Sequence, residues 1–239
     1  MPVAYEKSAA IYDLLYTGIG IKDYPAEVAG LNALIERTCP QAKTLLDVAC
    51  GTGAHLAELR GRYRVEGADL SESMLAVAAG RVGDVPLHRA DMRTLDLGRQ
   101  FDVVLCLFSS IAYMTTAAEM RQAVTRIAAH VAPGGLLVLD GWVRPDAWKD
   151  GRRADPEVAQ NDDTTVVRIA FSRRTGNITE LDMHHLVQTR DGVDYFMESH
   201  RLALTPTADY VAAVENAGLQ ATVIPDYLPN RDRVVGLRR

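Results

Sequence analysis

Much of what would place this chain in a class at a glance is missing from it. None of its 239 residues belong to a stretch long and apolar enough to span a bilayer. The opening run MPVAYEKSAAIYDLLY carries Glu6, Lys7 and Asp13 where a signal peptide needs an uninterrupted apolar core. There is no excess of basic residues. The formal charge is −5, so the basic face that nucleic acid or an anionic membrane requires is not expected. Cysteine is scarce: Cys39, Cys50 and Cys106 are odd in number, far apart and without metal-ligand spacing. Two of them sit in strand-like runs, where cysteine acts as a small buried hydrophobe. The expectation is a reduced, cytoplasmic protein with no metal site and neither a nucleic-acid nor a membrane partner.

What is present looks like an ordinary globular protein, 48% apolar and 24% charged, long enough for one large α/β domain or two small ones. From about residue 44 to 142, the strand-like runs TLLDVAC, YRVEGADL, VPLHRADM, FDVVLCLF and GLLVLDGWV alternate with alanine-rich helical patterns. That alternation implies crossover units and a doubly wound, mostly parallel sheet. Ser71 before ESMLAVAAG is a helix N-cap, and Pro133-Gly134-Gly135 reads as a turn after a helix. The texture then changes. TTVVRIAFSRR, ITELDMHHLVQTR and VDYFMESHRLALT are extended segments parted by Thr175-Gly176-Asn177 and Asp191-Gly192, which predicts a three-stranded antiparallel addition. PTADYVAAVENAGL returns to helical spacing, and QATVIPDYL and RDRVVGLRR read as two closing strands. The division expected is 1–143 for N-terminal helices and a cofactor-binding α/β core, 144–205 for an inserted cover or dimer sheet, and 206–239 for a closing helix and strands.

The most informative stretch is LLDVACGTGAHL, residues 45–56. An apolar strand stops at small residues before a helix, a geometry that brings a ligand against backbone N–H groups at the ends of the strands. A dinucleotide fingerprint would be G-x-G-x-x-G, but Gly51-Thr52-Gly53 is followed by Ala54-His55-Leu56, without the third glycine. The pattern here is acidic-x-small-x-Gly-x-Gly: Asp47, Ala49, Gly51, Gly53. The bland alternative is a tight strand-to-helix turn with no ligand. Asp69 ends the next strand 22 residues after Asp47, near where an acid grips a ribose diol, and with Ser71 as the cap its carboxylate is expected to be free. A lone Asp before a helix is also often only a cap.

This pattern resembles the first motif of class I S-adenosylmethionine (SAM) methyltransferases, which implies a seven-stranded sheet and SAM as cofactor, with S-adenosylhomocysteine as product. The resemblance puts the amino-acid moiety of SAM on Ala49, Gly51 and Gly53, with Asp47 acting on its ammonium. It puts the ribose at Asp69 and counts Leu70 and Met74 among the cofactor-binding residues. Asp91 and Met92 fall at the adenine, and Leu107 and Phe108 beside the cofactor, with Ser109 and Ser110 near the methyl group.

A narrower resemblance covers nearly the whole chain. AAIYDLLYTGIGIKDYPAE, ADLSESML, RADMRTLDLGRQFDVVLCLFSSIAYM, ESHRLAL and AGLQATVIP are similar to the N-methyltransferases of dTDP-linked amino sugars in macrolide and related antibiotic pathways. That implies one or two methyl transfers to a sugar amine while the sugar remains nucleotide-linked. It places Tyr12 over the SAM site and Lys22 within reach of the SAM carboxylate, although the segment around Lys22 is longer and less basic than in the family. Tyr5 falls near the sugar amine, and Tyr113 where some relatives have histidine. Ser109, Asp140, Trp142 and Ser172 fall toward the substrate, with Val143 replacing a family tryptophan, and Arg231 near the diphosphate.

Each assignment has a plainer reading. Tyr5 and Tyr12, seven residues apart, suit a helix core, and Arg173, Arg174, Arg231 and Arg233 suit a solvated strand edge. His184, His185 and His200 lie in strands where packing alone accounts for them. Methyl transfer to an amine needs alignment more than a base, so Tyr5 and Tyr113 are expected to orient the nitrogen or act as weak bases, neither being indispensable. Competing functions are a methyltransferase for another small amine or phenol, a nicotinamide-dependent oxidoreductase, and a non-catalytic SAM-binding subunit. The antiparallel sheet offers a surface for a homodimer.

Overall fold

The computed structural model describes residues 5–150 and 155–239. Its architecture follows from two apolar periodicities. In the first half, strands buried on both faces read as unbroken Leu and Val runs, most of them followed by a helix that covers one face. In chain order these are α1 (Tyr12–Gly18), α2 (Tyr24–Thr38), β1 (Thr44–Val48), α3 (Ala54–Leu59), β2 (Arg64–Asp69) and α4 (Glu72–Val82). β3 (Leu87–Arg89), β4 (Phe101–Cys106), α5 (Ala117–Ala129) and β5 (Val131–Val143) complete the parallel set. α6 (Thr207–Asn216) follows later, then β10 (Gln220–Leu228) and β11 (Arg231–Leu237).

These strands form one seven-stranded sheet in the order β10-β11-β5-β4-β1-β2-β3, parallel except for β11, which runs antiparallel to both neighbours. Alternation sorts the side chains. Leu45, Val103, Leu105, Leu136 and Val138 pack against Val28, Leu31 and Ile35 of α2 and Leu56 and Leu59 of α3. Leu46, Val48, Val104, Cys106, Leu137 and Leu139 pack against α5 and α6 on the other side. Because β1 is flanked by β2 on one side and β4 on the other, the strand order reverses there, and a crevice opens at the carboxyl ends of β1 and β4.

The second sheet holds four strands, not three: β6 (Glu157–Gln160), β7 (Thr165–Thr175), β8 (Ile178–Thr189) and β9 (Gly192–Ala203), antiparallel in that order. The extra strand is only four residues long, too short to show an alternation in the sequence. Its neighbours are joined by two-residue turns at 176–177 and 190–191, where the hairpin signals lie. Ile11 and Leu15 rest on its inner face, against Ala159, Val166 and Val187.

Two local expectations are corrected. Pro133-Gly134-Gly135 does not precede β5 but bulges within it. The pairing with β4 jumps from Phe101–Val131 to Val103–Leu136, and the bulge exchanges backbone hydrogen bonds with Arg238 at 2.8 and 3.0 Å. β3 spans only Leu87–Arg89, so Asp91 lies beyond the strand rather than at its last residue.

Candidate active site

The stretch from Asp47 to Gly53 forms a cup because three of its residues turn left-handed: Ala49 at φ 61°, Gly51 at φ 55° and Gly53 at φ 72°. Glycine takes that conformation without a steric cost, whereas Ala49 pays one. At Gly51 a Cβ would meet nothing nearer than Met74 Sδ at 4.0 Å, so the space in front of the backbone is open. At Gly53 a Cβ would lie 3.0 Å from Ala78 Cβ, so the second glycine lets α4 pack close. The two glycines therefore differ: one leaves open space before the backbone and the other permits a close helix contact.

Opposite the cup, β4 runs out through a second left-handed pair, Phe108 at φ 51° and Ser109 at φ 65°. Non-glycine residues persist there only where their surroundings fix them. Phe108 donates its N–H to Asp140 Oδ2 at 3.0 Å, and Ser109 Oγ donates to the Gly141 carbonyl at 2.7 Å. Lys22 Nζ sits 3.9 Å above the Phe108 ring.

The crevice between these turns is lined by Asp47, Ala49, Gly51, Lys22, Tyr12 and Leu107, all six expected there, and by both expected amine-site residues, Tyr5 and Tyr113. It also brings in Tyr24, Thr52 and His55, which sequence reasoning missed. A larger open groove near Arg99, Arg126 and His130 lies at the amino end of β4, away from all of these groups.

Asp47 is 2% exposed, and no hydrogen bond reaches its carboxylate from the described residues. Burial pushes its pKa up to about 6, with His55 and Lys22 opposing and Asp69 adding to the rise. Lys22 donates to Glu27 Oε2 at 2.8 Å, and His55 Nε2 lies 2.9 Å from the same oxygen. Burial lowers the Lys22 pKa despite Glu27. Burial also raises Glu27, but its hydrogen bonds with His55 and Lys22 more than offset this and leave it below the ordinary value. An orphaned buried carboxylate, an open glycine cradle and a buried ammonium in one crevice fit a zwitterionic amino-acid moiety.

Other expected residues surround the crevice without lining it. Asp69 is not free: Gly51 N–H donates to its Oδ2 at 2.8 Å and Ser71 N–H to its Oδ1 at 2.9 Å. Ser71 caps α4 as expected, accepting from Met74 N–H, but the cap and the acid are adjacent, so the Ser71 amide turns onto Asp69. An ionised carboxylate accepts about four hydrogen bonds, so acceptor positions remain. Leu70 is exposed, and Met74 is buried behind the loop. Asp91 is chelated by the Arg93 guanidinium, which holds its pKa below the usual carboxylate range, and Met92 packs on the core.

Asp140, expected toward the substrate, has internal partners. It is 2% exposed and engaged internally, accepting from Phe108 and, at 2.6 and 3.1 Å, from Arg233. Arg231 stands with its guanidinium 4.2 Å over the Trp142 ring and 3.5 Å from Ser109 Oγ, with no carboxylate partner among the described residues. Ser172 lies on the inner row of β7, paired with Leu181, whose other partner is His200. The plainer reading holds for Arg173, which pairs with Glu180 and Asp182 on the outer face, but not for Arg233. Tyr5 and Tyr12 do not share a helix: Tyr5 precedes it at φ 64°, and their rings meet edge-on at 5.1 Å.

The N-terminal segment is fastened over the crevice. Asp13 pairs with Arg81 at 2.6 Å and accepts from Tyr24 and Thr52, and Glu6 accepts from Ser71 and Ser73.

A methyltransferase-domain profile matches residues 45–135, from β1 to the start of β5. The chain is 42% identical over 231 residues to dTDP-3-amino-3,6-dideoxy-alpha-D-glucopyranose N,N-dimethyltransferase of Streptomyces fradiae, covering 96% of this chain and 90% of that protein. It is 37% identical to dTDP-4-amino-2,3,4,6-tetradeoxy-D-glucose N,N-dimethyltransferase of Saccharopolyspora spinosa, covering 96% and 92%. The crystal structure of DesVI from Streptomyces venezuelae superposes with a TM-score of 0.91 at 39% identity, covering 97% and 98% of the two chains. SAM-bound CalS10, an amino pentose methyltransferase from Micromonospora echinaspora, superposes at 0.86 with 38% identity, covering 96% and 97%. These matches run through both sheets and across the tyrosine-lined crevice, and the chain belongs to the SAM-dependent N-methyltransferases of nucleotide-linked amino sugars.

Proposed function

We propose that the enzyme transfers methyl groups from SAM to the amine of a dTDP-linked amino deoxysugar, in the assembly of an antibiotic sugar. The observation that carries this reading is the full-length similarity to three amino-sugar N,N-dimethyltransferases, the second sheet included. Asp47 would hold the cofactor's ammonium, Lys22 and the loop amides its carboxylate, Asp69 its ribose and Asp91 its adenine. When bound, SAM supplies a methyl group on a sulfonium, ready for displacement by an amine lone pair.

The chain's own residues bind and orient. Burial raises the pKa of Tyr5 well above 10, and Tyr113 rises in the same direction, so both phenols stay protonated at neutral pH. They serve as hydrogen-bond partners for the nitrogen, not as bases. Tyr5, Tyr12, Tyr24 and Phe108 also present rings toward a site where positive charge passes between groups. Asp140 acts as a positioning residue, holding the left-handed Phe108–Ser109 pair against Arg233. Arg231, stacked on Trp142 and lacking a carboxylate, is the candidate anchor for the substrate's diphosphate. Residues 144–205 would form the cover over this substrate region.

Among the described residues, seven of the ten large exposed apolar side chains lie on the second sheet, namely Val158, Ile169, Phe171, Leu186, Val193, Tyr195 and Met197. The strand register puts all seven on its outer face. A monomer rarely leaves so many together, which supports a homodimer through this face. No described helix is long and apolar enough to cross a membrane. A cytoplasmic site of action fits the three free cysteines.

The test is to incubate the enzyme and SAM with a panel of dTDP-linked 3-amino and 4-amino sugars and read product masses. One or two methyl increments are expected on at least one sugar. Methylation of free amines or phenols, with every nucleotide-linked sugar unchanged, would overturn the reading.

A further inference from the structure

His200 lies on the inner row of β9, 2% exposed, and does not line the crevice. Its Nδ1 is 2.8 Å from the Tyr113 hydroxyl, and its ring is 4.6 Å from that of Tyr5. Its Nε2 is buried without a partner among the described residues. The nearby acid, Glu198, is occupied by the Ser8 hydroxyl at 2.6 Å and the Lys7 amide at 2.9 Å. Burial pushes the imidazole down to about 4, with Glu198 opposing and His185 and Arg168 assisting. The ring is therefore neutral, with one N–H and one lone pair.

Which nitrogen carries the hydrogen follows from relative acidity. Burial raises the Tyr113 pKa, but it opposes ionisation of a neutral imidazole N–H in the same way, so the phenol remains the more acidic donor, and an imidazole nitrogen is a more basic acceptor than a phenol oxygen. The favoured arrangement is Tyr113 O–H donating to Nδ1, with the ring hydrogen on Nε2. Tyr113 has only this hydrogen. Once it is committed to His200, the phenol can face the crevice only as an acceptor.

That matters for an amine that must attack. A Tyr113 hydroxyl free to turn would donate to the nitrogen lone pair, which is the pair needed for bond formation. An acceptor-only oxygen instead takes an N–H and leaves the lone pair unbound. We infer that His200 is a positioning residue for methyl transfer: as the Nε2–H tautomer it holds the Tyr113 hydrogen away from the substrate amine, so that Tyr113 orients the nitrogen without blocking its lone pair. This rests on the amino-sugar reading above. No proton passes through the pair, and the nitrogen's surplus proton leaves to solvent.

The first readout is ¹⁵N NMR of the histidine rings in the full-length protein without ligands. His200 is assigned by its loss in His200→Asn and is expected to be neutral at pH 7 with Nε2 protonated. A hydrogen on Nδ1 would overturn the proposal. The second readout is kinetic. Removing the acceptor in His200→Leu should lower kcat roughly three- to tenfold, as an added hydrogen bond on the lone pair implies, with KM for SAM unchanged. His200→Asn, whose carbonyl oxygen can stand near Nδ1, should recover most of that loss. Wild-type kcat in His200→Leu, or no recovery in His200→Asn, would sink the proposal, and if His200→Leu fails to fold, the tautomer decides alone. A wild-type enzyme that methylates no amino sugar would bring down the underlying function, a failure that the ligand-free spectrum distinguishes from a wrong tautomer.

Discussion

Gly51 and Gly53 look equivalent in the sequence, yet alanine at the two positions should damage different properties. Both are left-handed, so a Cβ at either costs about 1–2 kcal/mol in backbone strain. At Gly53 the new carbon would also lie 3.0 Å from Ala78 Cβ and 3.3 Å from Ala78 Cα, and the latter is backbone that cannot turn aside. Overpacking of this kind adds about 1–3 kcal/mol, for roughly 2–5 kcal/mol in total. In a protein of this size that corresponds to a fall of roughly 4–20 °C in Tm. At Gly51 the carbon meets no protein atom within 4.0 Å, so Gly51→Ala should cost only the strain, roughly 2–8 °C. Its methyl would instead occupy the cradle. If the clash with SAM resembles overpacking, affinity drops by roughly 5- to 150-fold. Thermal melts followed by circular dichroism and calorimetric titration with SAM measure both quantities. Wild-type SAM affinity in Gly51→Ala, or a Gly53→Ala protein that melts with the wild type, would refute the division of labour.

Further outcomes follow from the same geometry. The Asp47 carboxyl has a folded pKa of about 6, raised from 3.8 by burial, so the ligand-free protein loses stability as pH rises through 4–6 and the group ionises. On the proposed role of Asp47, SAM binds the ionised form, so its affinity should fall toward tenfold per unit below pH 6 in calorimetric titrations, and Asp47→Asn should remove that slope. Asp140→Asn strips the charge facing Arg233 in a buried pair and should cost about 3–5 kcal/mol in urea unfolding. A loss below about 1 kcal/mol would show that Asp140 does not hold the β4 turn. Phe171→Lys combined with Tyr195→Asp should convert a dimer to a monomer in sedimentation velocity, and a wild-type monomer would dismiss the proposed interface.

The parallel core was legible because a strand buried on both faces has to be apolar throughout, and the runs around Leu45, Val103 and Leu136 leave no other assignment. The cradle was legible for a related reason: only glycine takes the left-handed turns at Gly51 and Gly53 without a steric cost, so those two positions announce the backbone conformation, whereas Ala49, like Phe108 and Ser109, turns left-handed without any such signal. The fourth strand of the second sheet was not, since four residues carry too little alternation to stand out from a loop. The pairing of Asp140 with Arg233 was not legible either, because an acid at a strand end looks the same whether it meets a substrate or a neighbouring arginine.

The sequence by itself determined the fold class and the glycine cup, since each depends on neighbours within one strand-turn-helix unit, while the N-terminal and post-β4 residues of the crevice were reached only through the family resemblance. Tertiary structure alone decided which of those groups still have bonds to give. Asp47 is left without a partner and Asp140 is satisfied; Lys22 is tied to Glu27, and Tyr113 meets His200 across 87 positions of chain. The reason is that strand periodicity fixes the face a side chain points to, whereas hydrogen-bond partners and desolvation come from elements distant in sequence and exist only once the sheets have packed.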